Sequence, residues 1–157
     1  MTEIDPNVLA KNARPDPPIV CRGVRGATTT TANTAEAILE ATRDMLQQVI
    51  EANQIDPKDV ASVWFTTTPD LNAEYPAVAA RQLGWHDSAL MCSHEMSVPN
   101  GLKLCIRVLI HWNTTRSLKE IRHIYLRGAV SLRPDRKISE KSNFTSVTNG
   151  QSNFNRE

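Results

Sequence analysis

Residues Cys92–Arg107 read CSHEMSVPNGLKLCIR, and the way this stretch folds decides the architecture around it. The apolar run Ala89-Leu90-Met91-Cys92 leads into it and reads as a buried strand that ends just before Glu95. Pro99-Asn100-Gly101 is a turn signal. Beyond the turn, the spacing of Leu102, Cys105, Leu109 and Trp112 predicts a helix over Gly101–Asn113, with Lys103 and Arg107 at i, i+4. Strand, turn and helix would then bring one carboxylate, Glu95, and one guanidinium, Arg107, into the same neighbourhood.

Working outward, Ile19–Ala27 reads as a first strand in which Arg22 and Arg25 fall on opposite faces, because side chains alternate. Glycines 23 and 26 beside them leave room for close approach. Asn33 is the expected N-cap of a helix running to about Asn53, with Glu36 completing a capping-box-like pair. Its apolar stripe includes Ile38, Met45, Leu46 and Val49. Val60–Thr67 is rich in strand formers. A short helix is expected from about Tyr75 to Leu83, with Pro76 in its first turn. Ser88–Cys92 is the third strand, Arg122–Leu126 a fourth, and Ala129–Leu132 a short strand after the turn at Gly128. The order β-α-β-α-β-α-β-β is that of an α/β or α+β domain whose sheet is incompletely covered, a defect that oligomerisation would remedy.

A length of 157 residues with 40% apolar content suits one domain. The expected division is an extended or disordered arm at 1–18, a folded domain at 19–135 and a polar, flexible tail at 136–157. A net charge of +1 argues against a dedicated nucleic-acid binder. No apolar run approaches the ~20 residues of a membrane span, and the N-terminus lacks the apolar core of a signal peptide. Cys21, Cys92 and Cys105 lack C-x-x-C spacing and read as free thiols of a cytoplasmic protein.

The histidines His86, His94, His111 and His123 show no ligand spacing, so no metal site is expected. No G-x-S-x-G elbow or phosphate-binding glycine loop is present, and Cys92 reads as a small buried or hydrogen-bonding cysteine, since His94 two residues along the strand shares its face without a guaranteed contact. What remains is an arginine set, Arg25, Arg81, Arg107 and Arg133, with Glu95, Tyr75 and Tyr125. Arginine offers a planar fork of donors that fits a carboxylate and keeps its charge, which points to a pocket for a small dianion.

Several strings then share one resemblance. They are Arg22-Gly23-Val24-Arg25-Gly26-Ala27-Thr28-Thr29, Thr68-Pro69-Asp70-Leu71-Asn72-Ala73 with Pro76-Ala77, and Cys92 with Glu95-Met96. Gly101-Leu102-Lys103 with Cys105-Ile106-Arg107-Val108 follows, and then Ile121-Arg122-His123-Ile124-Tyr125-Leu126 with Leu132-Arg133-Pro134-Asp135. In this order and spacing the chain resembles the monofunctional chorismate mutases of the trimeric, α/β-barrel-like class. The resemblance implies a homotrimer with a pseudo-barrel of mixed sheets, helices outside and sites between subunits. It also implies a rearrangement of chorismate to prephenate in phenylalanine and tyrosine biosynthesis, without cofactor or metal.

Carried over by position, Arg107, Arg25 and Glu95 would be catalytic. Arg107 would donate to the ether oxygen, Arg25 would pair with the enolpyruvyl carboxylate alongside Tyr125, and Glu95 would accept from the ring hydroxyl with Cys92 beside it. Tyr75, Ala77 and Leu132 would form walls, and Arg81 and Arg133 would stand at the mouth. Val78 stands where the family commonly has lysine. Two other readings are a non-catalytic trimeric binder of small carboxylate metabolites and a small-molecule deaminase on a related trimeric fold, with Glu95 activating water.

Overall fold

The segment expected to be the third helix is a ten-residue strand, Cys105–Thr114. Its even-numbered residues Ile106, Val108, Ile110 and Trp112 are buried, while Arg107, Leu109 and His111 are only partly covered. The helical spacing of Leu102, Cys105, Leu109 and Trp112 was a coincidence of composition. β-Branched residues at alternate positions, with Arg107 and His111 among those between them, favour a half-buried strand.

The computed structural model describes residues 16–134. The expected arm at 1–18 falls largely outside these residues, and the expected tail at 136–157 wholly so. The elements are β1 (Val20–Thr29), α1 (Ala35–Asn53), β2 (Val60–Thr67), α2 (Ala77–Gln82), β3 (Ala89–His94), β4 (Cys105–Thr114) and β5 (Ile124–Tyr125). The strands form one mixed sheet in the order β3-β2-β4-β1-β5. β4 runs antiparallel to both β1 and β2, while β3 is parallel to β2 and β5 parallel to β1. The element order among the described residues is thus β-α-β-α-β-β-β, with two α-helices where three were expected. The fourth strand shrinks from Arg122–Leu126 to Ile124–Tyr125, and the expected strand Ala129–Leu132 lies within a 3-10 helix, Arg127–Leu132.

α1 forms as its stripe predicts, burying Ile38, Met45, Leu46 and Val49. Its N-cap is Thr34 rather than Asn33: the Thr34 hydroxyl accepts from the Ala37 N–H at 3.2 Å. Asn33 instead accepts from the N–H groups of Asn72 and Ala73, each at 3.0 Å, and so ties the start of α1 to the loop before α2. The helix lies against β1 at Gly26, where an added Cβ would stand 2.9 Å from Val108 Cγ1 and 3.0 Å from Val49 Cγ2. Only a residue without a side chain permits that spacing. The core between α1 and the sheet contains Val24, Phe65, Val108 and Ile110.

Pairing sorts the residues of the sheet into two faces. The face toward the core carries Val24 and Gly26 of β1, Val63 and Phe65 of β2, and Val108 and Ile110 of β4. On the other face, Tyr125, Ala27, Arg107, Thr66 and Ser93 form one row across all five strands. Arg25, Leu109, Trp64 and Met91 form the neighbouring row. Trp64 and Met91 remain 45% and 55% exposed there, large apolar groups left uncovered in the isolated chain.

The entry to β4 is held by Asp70. Leu104 adopts a left-handed φ of 51°, which costs a residue with a side chain about 1–2 kcal/mol. Both of its backbone groups are bonded: its N–H donates to Asp70 Oδ2 and its C=O accepts from the Thr30 N–H, each at 2.9 Å. Asp70 also accepts from the Thr68 hydroxyl, which in turn accepts from the Cys105 N–H at 3.0 Å. Burial pushes the Asp70 pKa up, but the bonds from Thr68 and Leu104 and the charge of Lys103 outweigh it and hold the carboxyl below its ordinary value. A depressed folded-state value stabilises the fold above the unfolded-state pKa, and that contribution is lost as pH falls through the folded-state value. Asp70→Asn should therefore lower stability at neutral pH by about 0.5–1 kcal/mol, since the site is solvent-exposed. It should also weaken the acid dependence of thermal unfolding; an acid limb identical to that of the unsubstituted chain would rule out this role for Asp70.

Candidate active site

On the face of the sheet away from α1, a depression of about 450 Å³ is lined by Arg25, Trp64, Thr66, Glu95, Arg107, Tyr125, Leu132 and Arg133, among others. Arg107 reaches it because alternation in β4 turns odd-numbered residues to this side. Glu95 follows β3 directly, its N–H donating to Thr67 O at 2.7 Å. Leu132 and Arg133 arrive with the 3-10 helix Arg127–Leu132, which Thr29 holds through its hydroxyl, accepting from the Gly128 N–H at 3.1 Å.

Arg107 and Glu95 share this one depression, with Arg107 Nε 3.6 Å from Glu95 Oε2. The separation is an ion pair beyond hydrogen-bond length, and Arg107 Nε, closed off from solvent, has no hydrogen-bond acceptor. The Arg107 side chain as a whole is 40% exposed. The same Glu95 oxygen accepts from the Thr66 hydroxyl at 2.8 Å. That bond fixes the carboxylate from the neighbouring strand. Chemically, the depression offers three guanidiniums and a phenol as donors and one carboxylate as an acceptor, arranged on one sheet face and the 3-10 segment beside it. Such a set can orient an anionic ligand that also carries a hydroxyl.

The remaining residues expected at the site lie elsewhere on the chain. Cys92 belongs to the core-facing side of β3, opposite in direction to Ser93, so it does not stand beside Glu95 in the depression. It lines a second hollow of about 420 Å³ with Tyr75, Pro76, Glu74 and His94. Ala77 is buried, and Tyr75 is 68% exposed. Burial pushes the Cys92 thiol up, opposed by a bond to the Ala77 backbone and by the Arg81 charge. The thiol is thus held in its protonated form rather than activated as a nucleophile, and Cys92, Ala77 and Arg81 are neighbours. The candidate residues fall into two groups on one chain: Arg25, Glu95, Arg107, Tyr125, Leu132 and Arg133 line one hollow, while Tyr75 and Cys92 line the other, with Ala77 and Arg81 next to Cys92.

Trp64, Thr66 and Ser93 line the depression without having been singled out from the sequence. Trp64 Nε1 donates to Ser93 Oγ at 2.9 Å. Their signal was the alternation of β2, which places residues 64 and 66 on the face opposite Val63 and Phe65. Reading it required the register between β2 and β4, which the mistaken helix concealed.

Comparison with known proteins assigns the chain to a family. The family described as chorismate mutase type I matches residues 21–136. The chain is 42% identical over 125 residues to "Chorismate mutase AroH" of Bacillus subtilis (strain 168), covering 79% of this chain and 98% of that protein. It is 49% identical over 115 residues to "Chorismate mutase AroH" of Thermus thermophilus, covering 73% and 94%. Among solved structures, a chorismate mutase from Clostridium thermocellum superposes with a TM-score of 0.69 at 45% identity, over 70% of this chain and 98% of that one. A matching family over most of the folded residues, and relatives aligned nearly end to end, lead to one conclusion: the chain belongs to the type I chorismate mutases, a family of isomerases.

Proposed function

We propose that this protein rearranges chorismate to prephenate at a site assembled from two copies of the chain in a homotrimer. The observation that carries the reading is the placement of Arg107 and Glu95 on one rigid face, with Arg25 and Tyr125 lining the same hollow. The rearrangement breaks the ether C–O bond as a new C–C bond forms within the same molecule. No group is transferred to the protein. The protein's contributions are to hold the compact conformer of the substrate and to stabilise the charge that separates as the bond breaks.

Arg107 donates to the ether oxygen as negative charge accumulates there. Its Nε, already out of water and lacking a hydrogen-bond acceptor, is primed for that interaction. Arg25 and Tyr125 hold the enolpyruvyl carboxylate. Glu95, fixed by Thr66, accepts from the ring hydroxyl and faces the ring as positive charge develops. Arg133 and Leu132 close one side.

The second hollow supports the two-copy reading. Tyr75 and Cys92 line it, with Ala77 and Arg81 beside Cys92, separate from the arginine-lined depression on the same chain. Seating the hollow of one copy against the depression of another would complete a site and cover the exposed faces of Trp64 and Met91. Burial of two such side chains is worth several kcal/mol at roughly 25 cal/mol per Å². Neither the non-catalytic binder nor the deaminase is favoured by any feature of the site. A cytoplasmic location fits the free Cys21, Cys92 and Cys105. Among the described residues no helix is long and apolar enough to cross a membrane.

Purified protein should consume chorismate and yield prephenate without added metal or cofactor, followed by absorbance; failure to do so would sink the proposal. Arg107→Lys keeps a charge but not the fork, and should cost roughly 10²–10³ in kcat with a smaller change in KM. Turnover equal to that of the unsubstituted chain would remove Arg107 from the transition state. Light scattering should report a trimer, and Met91→Glu should shift it toward monomer with loss of turnover. A fully active monomer would overturn the shared site.

A further inference from the structure

The N–H of Arg25 has no partner in β5, whose pairing with β1 is confined to Gly26 and Ala27. A side chain takes that place: the Arg25 N–H donates to His123 Nδ1 at 3.1 Å. A ring nitrogen that accepts carries no proton, so Nδ1 is the unprotonated nitrogen of the ring in this arrangement. The backbone that bears this ring is itself gripped from below. Asn53, fully buried in the last turn of α1, donates from Nδ2 to Arg122 O at 2.8 Å and accepts from the Arg122 N–H through Oδ1 at 2.8 Å. Its Nδ2 also donates to Val49 O at 2.9 Å. These bonds fix which way the amide faces and leave the Arg122 backbone no freedom to turn. A chain of hydrogen bonds therefore runs from the helix core, through residues 122 and 123, to the backbone of Arg25.

We infer that His123 is a positioning residue for Arg25, fixing the β1 backbone at the residue whose guanidinium meets the substrate carboxylate, with Asn53 anchoring the imidazole in turn. The inference rests on the role proposed above for Arg25. Alternation along β1 ties the direction of the Arg25 side chain to the orientation of its peptide plane, so loosening the N–H lets the guanidinium swing. Misplacement of about 1 Å in a substrate-positioning group can cost 10²-fold in rate.

Two variants of the full chain separate this role from simple packing. His123→Leu removes the acceptor, whereas His123→Asn offers an amide oxygen where Nδ1 stood. Leu at 123 should lower kcat/KM by about 10- to 100-fold, with trimer and melting temperature little changed, and Asn should recover most of that loss. Equal loss in both variants, or none in either, overturns the inference. In an Arg25→Ala background, His123→Leu should add little; an undiminished further loss would mean that His123 acts elsewhere. Nitrogen-15 NMR of the histidine rings gives a readout independent of turnover: the signal absent from His123→Asn must report an unprotonated Nδ1, and a protonated Nδ1 refutes the hydrogen bond. Should Arg25→Ala turn over like the unsubstituted chain, the role of Arg25 itself fails, an outcome distinct from equal impairment of the two His123 variants.

Discussion

β4 is the central strand of the sheet, bonded to β1 on one side and β2 on the other, and its two-residue alternation is the constraint on which the rest depends. One set of its side chains fills the space beneath α1, and the other set floors the cleft. The strand cannot slip by one residue without exchanging these sets, which would drive Arg107 into the core and Ile106 or Val108 into water. Burying an unpaired guanidinium costs far more than exposing a valine. The same pattern that packs the domain therefore also aims the chemistry.

The electrostatic arrangement follows from that placement. Arg107 faces a carboxylate that is already committed to a hydroxyl, so neither charge is free to collapse onto the other at full hydrogen-bond length. Charges held apart on one sheet face need little rearrangement when the charge distribution of a bound molecule changes. The tight spacing at Gly26 serves the same end from beneath, because a helix lying directly on the strand backbone leaves the sheet little room to flex.

Much of this was legible in the sequence, and the misreadings have physical causes. β1, α1 and β2 were visible because each carries one strong period and clear end signals. The segment from Leu102 to Trp112 carries two periods at once, and local spacing cannot choose between them. The choice is made by β1 and β2, which flank it in space and lie tens of residues away in the chain. Ile121–Leu126 alternates like a strand, yet only two residues pair, since the backbone of Arg122 is captured by Asn53 instead of a neighbouring strand. Asn33 looked like a helix cap because asparagine suits that position; its amide was taken by the loop at Asn72 and Ala73. Of the residues expected in the cleft, Arg25, Glu95, Arg107, Tyr125, Leu132 and Arg133 line it, whereas Thr66 emerges only from cross-strand register and His123 only from its bond to the Arg25 N–H. No feature of the sequence separates Cys92 from Ser93 by face until β3 is paired with β2.

The separation of the two faces also has a practical side. Positions 64, 66, 107 and 109 lie on the cleft side of the sheet, while 63, 65, 106, 108 and 110 belong to the packed side. A combinatorial library confined to the first group would redraw the shape and charge of the cavity with little disturbance to folding. One confined to the second would mostly return insoluble chains. The alternation thus marks out where a new ligand preference can be selected, and the scaffold beneath would carry the change unaltered.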